Sequence, residues 1–138
     1  MSKRIFSLLG LVALMVLLTG VLTAAAPVPV TTITLVGDGL PAVMNVGDTS
    51  VVVVQVDSDQ QFIFAQALPS EYIPGRAVVA SQGDHVGQGT TATLSVPFYA
   101  KTSTDKFGGQ VLVHVTVGVR YSGGYVAVQR YDFLVQVP

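Results

Sequence analysis

From Val111 to Tyr121 every second residue is apolar (Val111, Val113, Val115, Val117, Val119, Tyr121), while His114, Thr116 and Arg120 fall between them. A period of two lines these residues along one face of a pleated strand, whereas a helix would scatter them around its axis. Ser122-Gly123-Gly124 then offers a tight connection, since glycine tolerates the positive φ that short hairpin turns need. Tyr125 to Val137 is expected to return antiparallel. Val126 and Val128 fit the inner face of that return, and Tyr131, Phe133, Val135 and Val137 fit it only if Gln129-Arg130 holds a bulge, so a bulge is predicted there.

The same period recurs upstream, with Val and Thr dominant. Thr31 to Val36 reads as a first strand closed by Gly37-Asp38-Gly39, and Ala42 to Val46 as a short edge piece. Thr49 to Asp57 reads as the next strand, with Val52, Val54 and Val56 inward and Val51 and Val53 covered on the other face. Asp57-Ser58-Asp59 is expected to be a loop. Gln61 to Leu68 would then be a separate strand, ended by the Pro69-Ser70-Glu71 turn, and Arg76 to Ser81 a short fifth. Gly83 to Gly89 reads as a loop, and Thr91 to Phe98 alternates with Ala92, Leu94, Val96 and Phe98 inward. Seven or so short strands separated by turn signals predict an all-β fold, a single antiparallel β-sandwich. The final hairpin would lie central or near-central in one sheet.

The N-terminus reads differently. Lys3 and Arg4 precede an apolar run from Ile5 to Leu22, and Thr23-Ala24-Ala25-Ala26 follows. Basic residues ahead of an apolar stretch that ends in small side chains describe an export signal, with Thr23 and Ala25 at the recognition positions and Ala26 as the new N-terminus. The rival reading is an uncleaved anchor, because a helix over this run would be about 27 Å long, close to a bilayer's apolar thickness. Residues 1–25 are therefore read as signal peptide or membrane anchor, 26–31 as a proline-spaced linker, and 32–138 as the domain. Either way the domain faces outward, extracellular or at the cell surface, and touches membrane only through residues 5–22 if they are retained.

The chain has no cysteine, which removes disulfides, thiol catalysis, cysteine-ligated metals and lipidation of a leader cysteine. Core burial alone must hold the domain together. Two of the seven basic residues are Lys3 and Arg4, so eight acidic residues outnumber the five that remain, a net of about minus three. The charges are scattered singly and form no basic stripe, which argues against nucleic acid as a partner.

The order of features resembles the bacterial and archaeal immunoglobulin-like (Ig-like) domains of the adhesion-related, CARDB-like kind. It is carried by Val46-Gly47-Asp48-Thr49 opening a valine-alternating strand, by the Thr90–Phe98 strand, by Gly109 leading into Val111–Tyr121, and by the terminal Phe133-Leu134-Val135-Gln136-Val137. It spans nearly all of residues 31–138. Asp57-Ser58-Asp59 stands where that family often has an Asn and a Gly, and the cysteine pair and core tryptophan of antibody domains are absent. The resemblance implies an Ig-like sandwich and a role in surface binding or architecture.

Candidate sites are few, and no catalytic, cofactor-binding or metal-binding constellation is assigned. Asp57, Asp59 and Asp84 are the carboxylates that could contribute to a calcium site, against the plainer reading of solvated turns. Asp84-His85 lies among serines without a nucleophile-elbow motif, and Gly83-x3-Gly87-x-Gly89 lacks the Lys-Ser/Thr of a phosphate loop. His114 reads as a half-exposed sheet residue. Tyr72, Phe98, Tyr99 and Phe107 could form a sugar or protein contact patch, or close the core at strand ends. The Pro27–Val36 arm could join a neighbour's sheet by strand donation, against the preferred reading of an ordinary first strand behind a linker. The reading is thus an exported, non-enzymatic, cofactor-free Ig-like domain mediating protein–protein contact, with other surface proteins or itself as partner. A carbohydrate- or calcium-binding module and a strand-donating filament subunit are the alternatives.

Overall fold

The computed structural model describes residues 27–70 and 77–138. The leader, the linker's first residue, the end of the Pro69-Ser70-Glu71 turn, Tyr72 and the Arg76 start of the expected fifth strand lie outside them. Seven strands follow in order: β1 (Thr31–Val36), β2 (Thr49–Pro69), β3 (Val78–Ala80), β4 (His85–Val86), β5 (Gly89–Ala100), β6 (Val111–Tyr121) and β7 (Val126–Val135). All pair antiparallel, and the only helical element among the described residues is a 3-10 turn at Asp105–Phe107. The fold is all-β, as the period-two pattern predicts, and it is an Ig-like sandwich.

β2 organises both layers. Its first half pairs with β1 on one side and β5 on the other, and β3 extends that sheet beyond β5. Its second half pairs with β4 and β6, and β7 completes the second sheet. The crossover is accommodated by register shifts between Asp57 and Phe62 and between Phe62 and Phe64. The inward set accordingly changes phase, from Val52, Val54 and Val56 to Phe62 and then Ala65 and Ala67. Two expected strands are thus one, and Asp57-Ser58-Asp59 is continuous strand and not a loop. The polar residues belong there because the chain changes sheets at that point. Ser58 Oγ and Thr31 Oγ1 both meet the Tyr121 hydroxyl, at 2.7 and 2.6 Å, joining β1, β2 and β6.

The inner faces of β5 and β6 are as expected. Leu94, Val96 and Phe98 pack with Val113, Val115, Val117 and Val119, all essentially inaccessible to water. Removing each such side chain from water contributes about 1.5–3 kcal/mol, and that burial does the work disulfides would otherwise do. Thr104 is the one fully buried polar side chain among the described residues: its hydroxyl accepts from Val137 N at 2.9 Å and faces the Gly109 and Val137 carbonyls at 2.8 and 3.0 Å.

The β6–β7 hairpin departs from the expectation drawn from the sequence. The β6–β7 register runs without interruption from Val111↔Val135 to Arg120↔Val126, so no bulge occurs at Gln129-Arg130. Ala127, Tyr131 and Phe133 pack against the core, and Val126 and Val128 point outward. β6 is interior to its sheet, whereas β7 is an edge. Val51, expected to be covered, is 49% exposed. The Ala42–Val46 piece reduces to one parallel bridge, Val43↔Gln136, and the Gly83–Gly89 loop contains the two-residue β4.

Candidate functional site

The hairpin register decides which side chains meet on the outer face of the second sheet. The three-residue connection Ser122–Gly124 closes with Tyr121 N donating to Tyr125 O at 2.9 Å. That closure sets His114 opposite Asp132 and Thr116 opposite Arg130. His114 Nδ1 lies 2.6 Å from Asp132 Oδ1, and Arg130 Nε donates to the same oxygen at 2.7 Å. Arg130 Nη2 lies 2.8 Å from His114 Nδ1 and 3.2 Å from Nε2. A nitrogen within 3.2 Å of both ring nitrogens lies over the imidazole face and not along either lone pair, so Arg130 packs on the His114 ring while Nδ1 faces the carboxylate. The Arg130 hydrogen bond, and after it the His114 one, hold the Asp132 carboxyl below the usual carboxylate range.

Apolar residues flank this cluster. Leu112 and Leu134 face each other one register step beyond it, Val128 and Val126 lie on its other side, and Leu68 comes from β2 beside Thr116. All five are well exposed, Val128 at 62%, Leu134 at 57% and Leu68 at 52%. The outer face of the first sheet is more polar, with Thr32, Thr34, Gln55, Asp57, Thr91, Thr93 and Ser95 beside Val36, Val51 and Tyr99.

The residues singled out from the sequence do not converge. Asp57 and Asp59 lie on β2, where Asp59 Oδ1 accepts from Val30 N at 2.8 Å. Asp84 Oδ2 accepts from Ser95 N at 2.9 Å, and the His85 ring packs on Phe64 with centroids 5.3 Å apart. No three His, Asp or Glu side chains meet in a metal-holding group among the described residues. Phe98 is core, Tyr99 is exposed, and Phe107 is partly buried beside a shallow pocket of about 400 Å³ with Thr102, Ser103, Asp105 and Lys106. The arm pairs with its own chain's β2, and Gln60 Nε2 reaches the Pro27 carbonyl at 3.1 Å.

Sequence reasoning placed His114 outward but missed its partners, because the expected bulge obscured the register. Counting outward from Tyr121 and Tyr125 as the closing pair would have set His114 opposite Asp132.

No family model matches the chain, and no curated protein matches it. Among solved structures, a crystal structure of native alpha-2-macroglobulin from Escherichia coli, spanning domain MG7 to the C-terminus, is similar to it. The two share 19% identity over 83% of this chain and 17% of that one, with a TM-score of 0.48. A cryo-EM reconstruction of the native conformation of the same E. coli protein is similar at 19% identity over 83% of this chain and 7% of that one, with a TM-score of 0.38. The chain thus spans less than a fifth of the length of either structure it resembles.

Proposed function

We propose that the chain is an exported, non-enzymatic Ig-like module, of the adhesion-related kind its sequence resembles, that makes protein–protein contact at a cell surface or in an envelope. The outer face of the second sheet carries this reading: Leu68, Leu112, Leu134, Val126 and Val128 stand in water around the His114–Arg130–Asp132 cluster. The leucines and valines would supply apolar contact area, and the cluster would orient the partner by charge.

Photo-crosslinking in the producing cell tests it. A photoreactive residue at Leu68, in the full chain, is expected to form an adduct with an exported or envelope protein. The same residue at Val51, equally exposed on the other sheet, is expected to form none. Retention of the chain in the cytoplasm, or equal or absent adducts from both positions, would overturn the proposal.

A further inference from the structure

The structure assigns β7 as a self-complementary edge: we infer that two copies of this chain pair antiparallel through Val128–Leu134, about an axis at Tyr131.

Edges of the two sheets are treated unequally. β3 has three residues and β4 two, and β1 has six behind Pro27 and Pro29. Short strands and prolines are the usual means of blunting an edge. β7 has ten residues, no proline and no bulge, and among the described residues nothing pairs with its outer side from Val126 to Leu134.

The direction of its free main-chain groups follows from the hydrogen bonds at either end. Ser70 N donates to His114 O at 2.8 Å, so even-numbered residues of β6 bond toward β2 and odd-numbered ones toward β7. Since Val111 pairs with Val135, odd residues of β7 are spent on β6 and even ones point to the free edge. Gln136 confirms the parity, donating to Ala42 O and accepting from Met44 N on that outer side, at 2.8 and 2.9 Å. The same contacts close the edge beyond Leu134. Val128, Arg130, Asp132 and Leu134 therefore carry outward amides and carbonyls. The Arg130 carbonyl is met by the exposed Gln129 amide at 3.3 Å, a side chain free to swing away.

One register satisfies both main chain and side chains. With Tyr131 opposite its own copy, Arg130 faces Asp132 of the second copy, Asp132 faces Arg130, and Val128 faces Leu134 on both sides. Val126 would fall opposite Gln136, where Ala42–Met44 already lies, so the pairing ends at Val128–Leu134 and each Val126 bends out of it. Opposite charges and apolar pairs directly across an antiparallel pair are favourable, and like charges there are unfavourable. Moving the register by two residues either way, with the same parity, sets Arg130 against Arg130 or Asp132 against Asp132. Arg130 already donates to Asp132 on its own strand, and its five donors leave capacity for the second carboxylate. This contact is made by the main chain of the strand edge. Val128, Arg130, Asp132 and Leu134 belong to both it and the face proposed above, whereas Leu68 on β2 belongs to the face alone, so a probe at Leu68 separates the two.

Sedimentation equilibrium of the full chain, expressed with its leader and recovered in the form the cell exports, tests the pairing. The unsubstituted chain is expected to dimerise reversibly. Arg130→Asp and Asp132→Arg each set two like-charge pairs in opposition and should weaken the dimer about tenfold or more. An equimolar mixture of the two variants, and the double swap R130D/D132R alone, should restore it. Val128→Pro, whose lost N–H points away from β6, should abolish the dimer while circular dichroism shows the sandwich intact. A chain that stays monomeric at every concentration, or a dimer indifferent to both charge reversals and to Val128→Pro, would overturn the inference. Loss of Leu68 crosslinks with the dimer intact would sink the face and spare the edge.

Discussion

Gly83 sits in the segment that crosses from β3 to β4, and it has no room for a side chain. A Cβ there would lie 2.0 Å from the Ala67 carbonyl oxygen, 2.9 Å from the Ala67 carbonyl carbon and 3.0 Å from Val96 Cγ2, where ordinary contact begins near 3.4 Å. The nearest obstacle is backbone in the longest strand, so the crossing segment must move and not a flexible side chain. Its movement would strain three hydrogen bonds that clamp it: Ala67 N to Asp84 O, Asp84 N to Ser95 O, and Ser95 N to Asp84 Oδ2, at 3.0, 3.0 and 2.9 Å. At about 1 kcal/mol each their loss costs about 3 kcal/mol, offset by about 0.4–1 kcal/mol from a less flexible unfolded chain. Gly83→Ala is expected to destabilise by about 2–3 kcal/mol. Gly87, four residues on, has nothing within 4 Å of its Cβ position, and Gly87→Ala should be neutral or stabilising by up to about 1 kcal/mol. Urea unfolding followed by circular dichroism reads both as midpoint shifts at constant slope. A Gly83→Ala midpoint matching the unsubstituted chain, or equal losses at the two glycines, would refute the clash and the clamp together.

Three further outcomes follow from the polar contacts. Tyr121→Phe removes the hydroxyl shared by Thr31 and Ser58 and should cost about 1–3 kcal/mol in the same unfolding assay, with Ser58→Ala costing less. Thr104→Val keeps the volume but leaves the buried Val137 N–H without its side-chain acceptor; about 1–3 kcal/mol is expected, with earlier hydrogen exchange at Val137. The Asp132 carboxyl titrates below its unfolded value, so its contribution to stability is complete above about pH 4 and is lost as pH falls through the depressed native value. In an NMR titration, Arg130→Gln should raise the Asp132 midpoint toward the ordinary carboxylate value, and an unmoved midpoint would show that Arg130 does not set it.

Much of the fold was legible because alternation fixes faces wherever one side of a strand is wholly buried. β5 and β6 are such strands, and Leu94, Val96 and Val113–Val119 lie where the period places them. Alternation fails where a strand changes sheets or lies at an edge. β2 changes phase between Phe62 and Ala65, and its polar Asp57-Ser58-Asp59 reads as a loop because hydropathy does not record the hydrogen bonds that seat it. In β7 Val126 and Val128 look like core because they are valines, yet the continuous register puts them in water. The site was hidden for the same reason: His114 was visibly outward, but Asp132 and Arg130 join it only once the hairpin is closed at Tyr121 and Tyr125.

The exposed face and the free edge adjoin, and that adjacency links the two proposals physically. Pairing β7 with a second β7 would run the second sheet of one copy into that of the other, so Val128 and Leu134 of both copies would meet at the seam. Two Leu68–Leu112 patches would then lie on one continuous surface related by a two-fold axis. A partner that presents two matching patches would bind the second at the effective concentration set by this rigid spacing, and avidity would exceed the strength of either contact. Arg130 and Asp132 would stand at the centre of that surface, bonded to each other within a strand and facing their opposites across it. Reversing one of those charges also alters the cluster that faces the partner, so it should weaken binding to a monovalent fragment, but binding to a bivalent partner far more, and that excess disappears if the domain acts as a monomer.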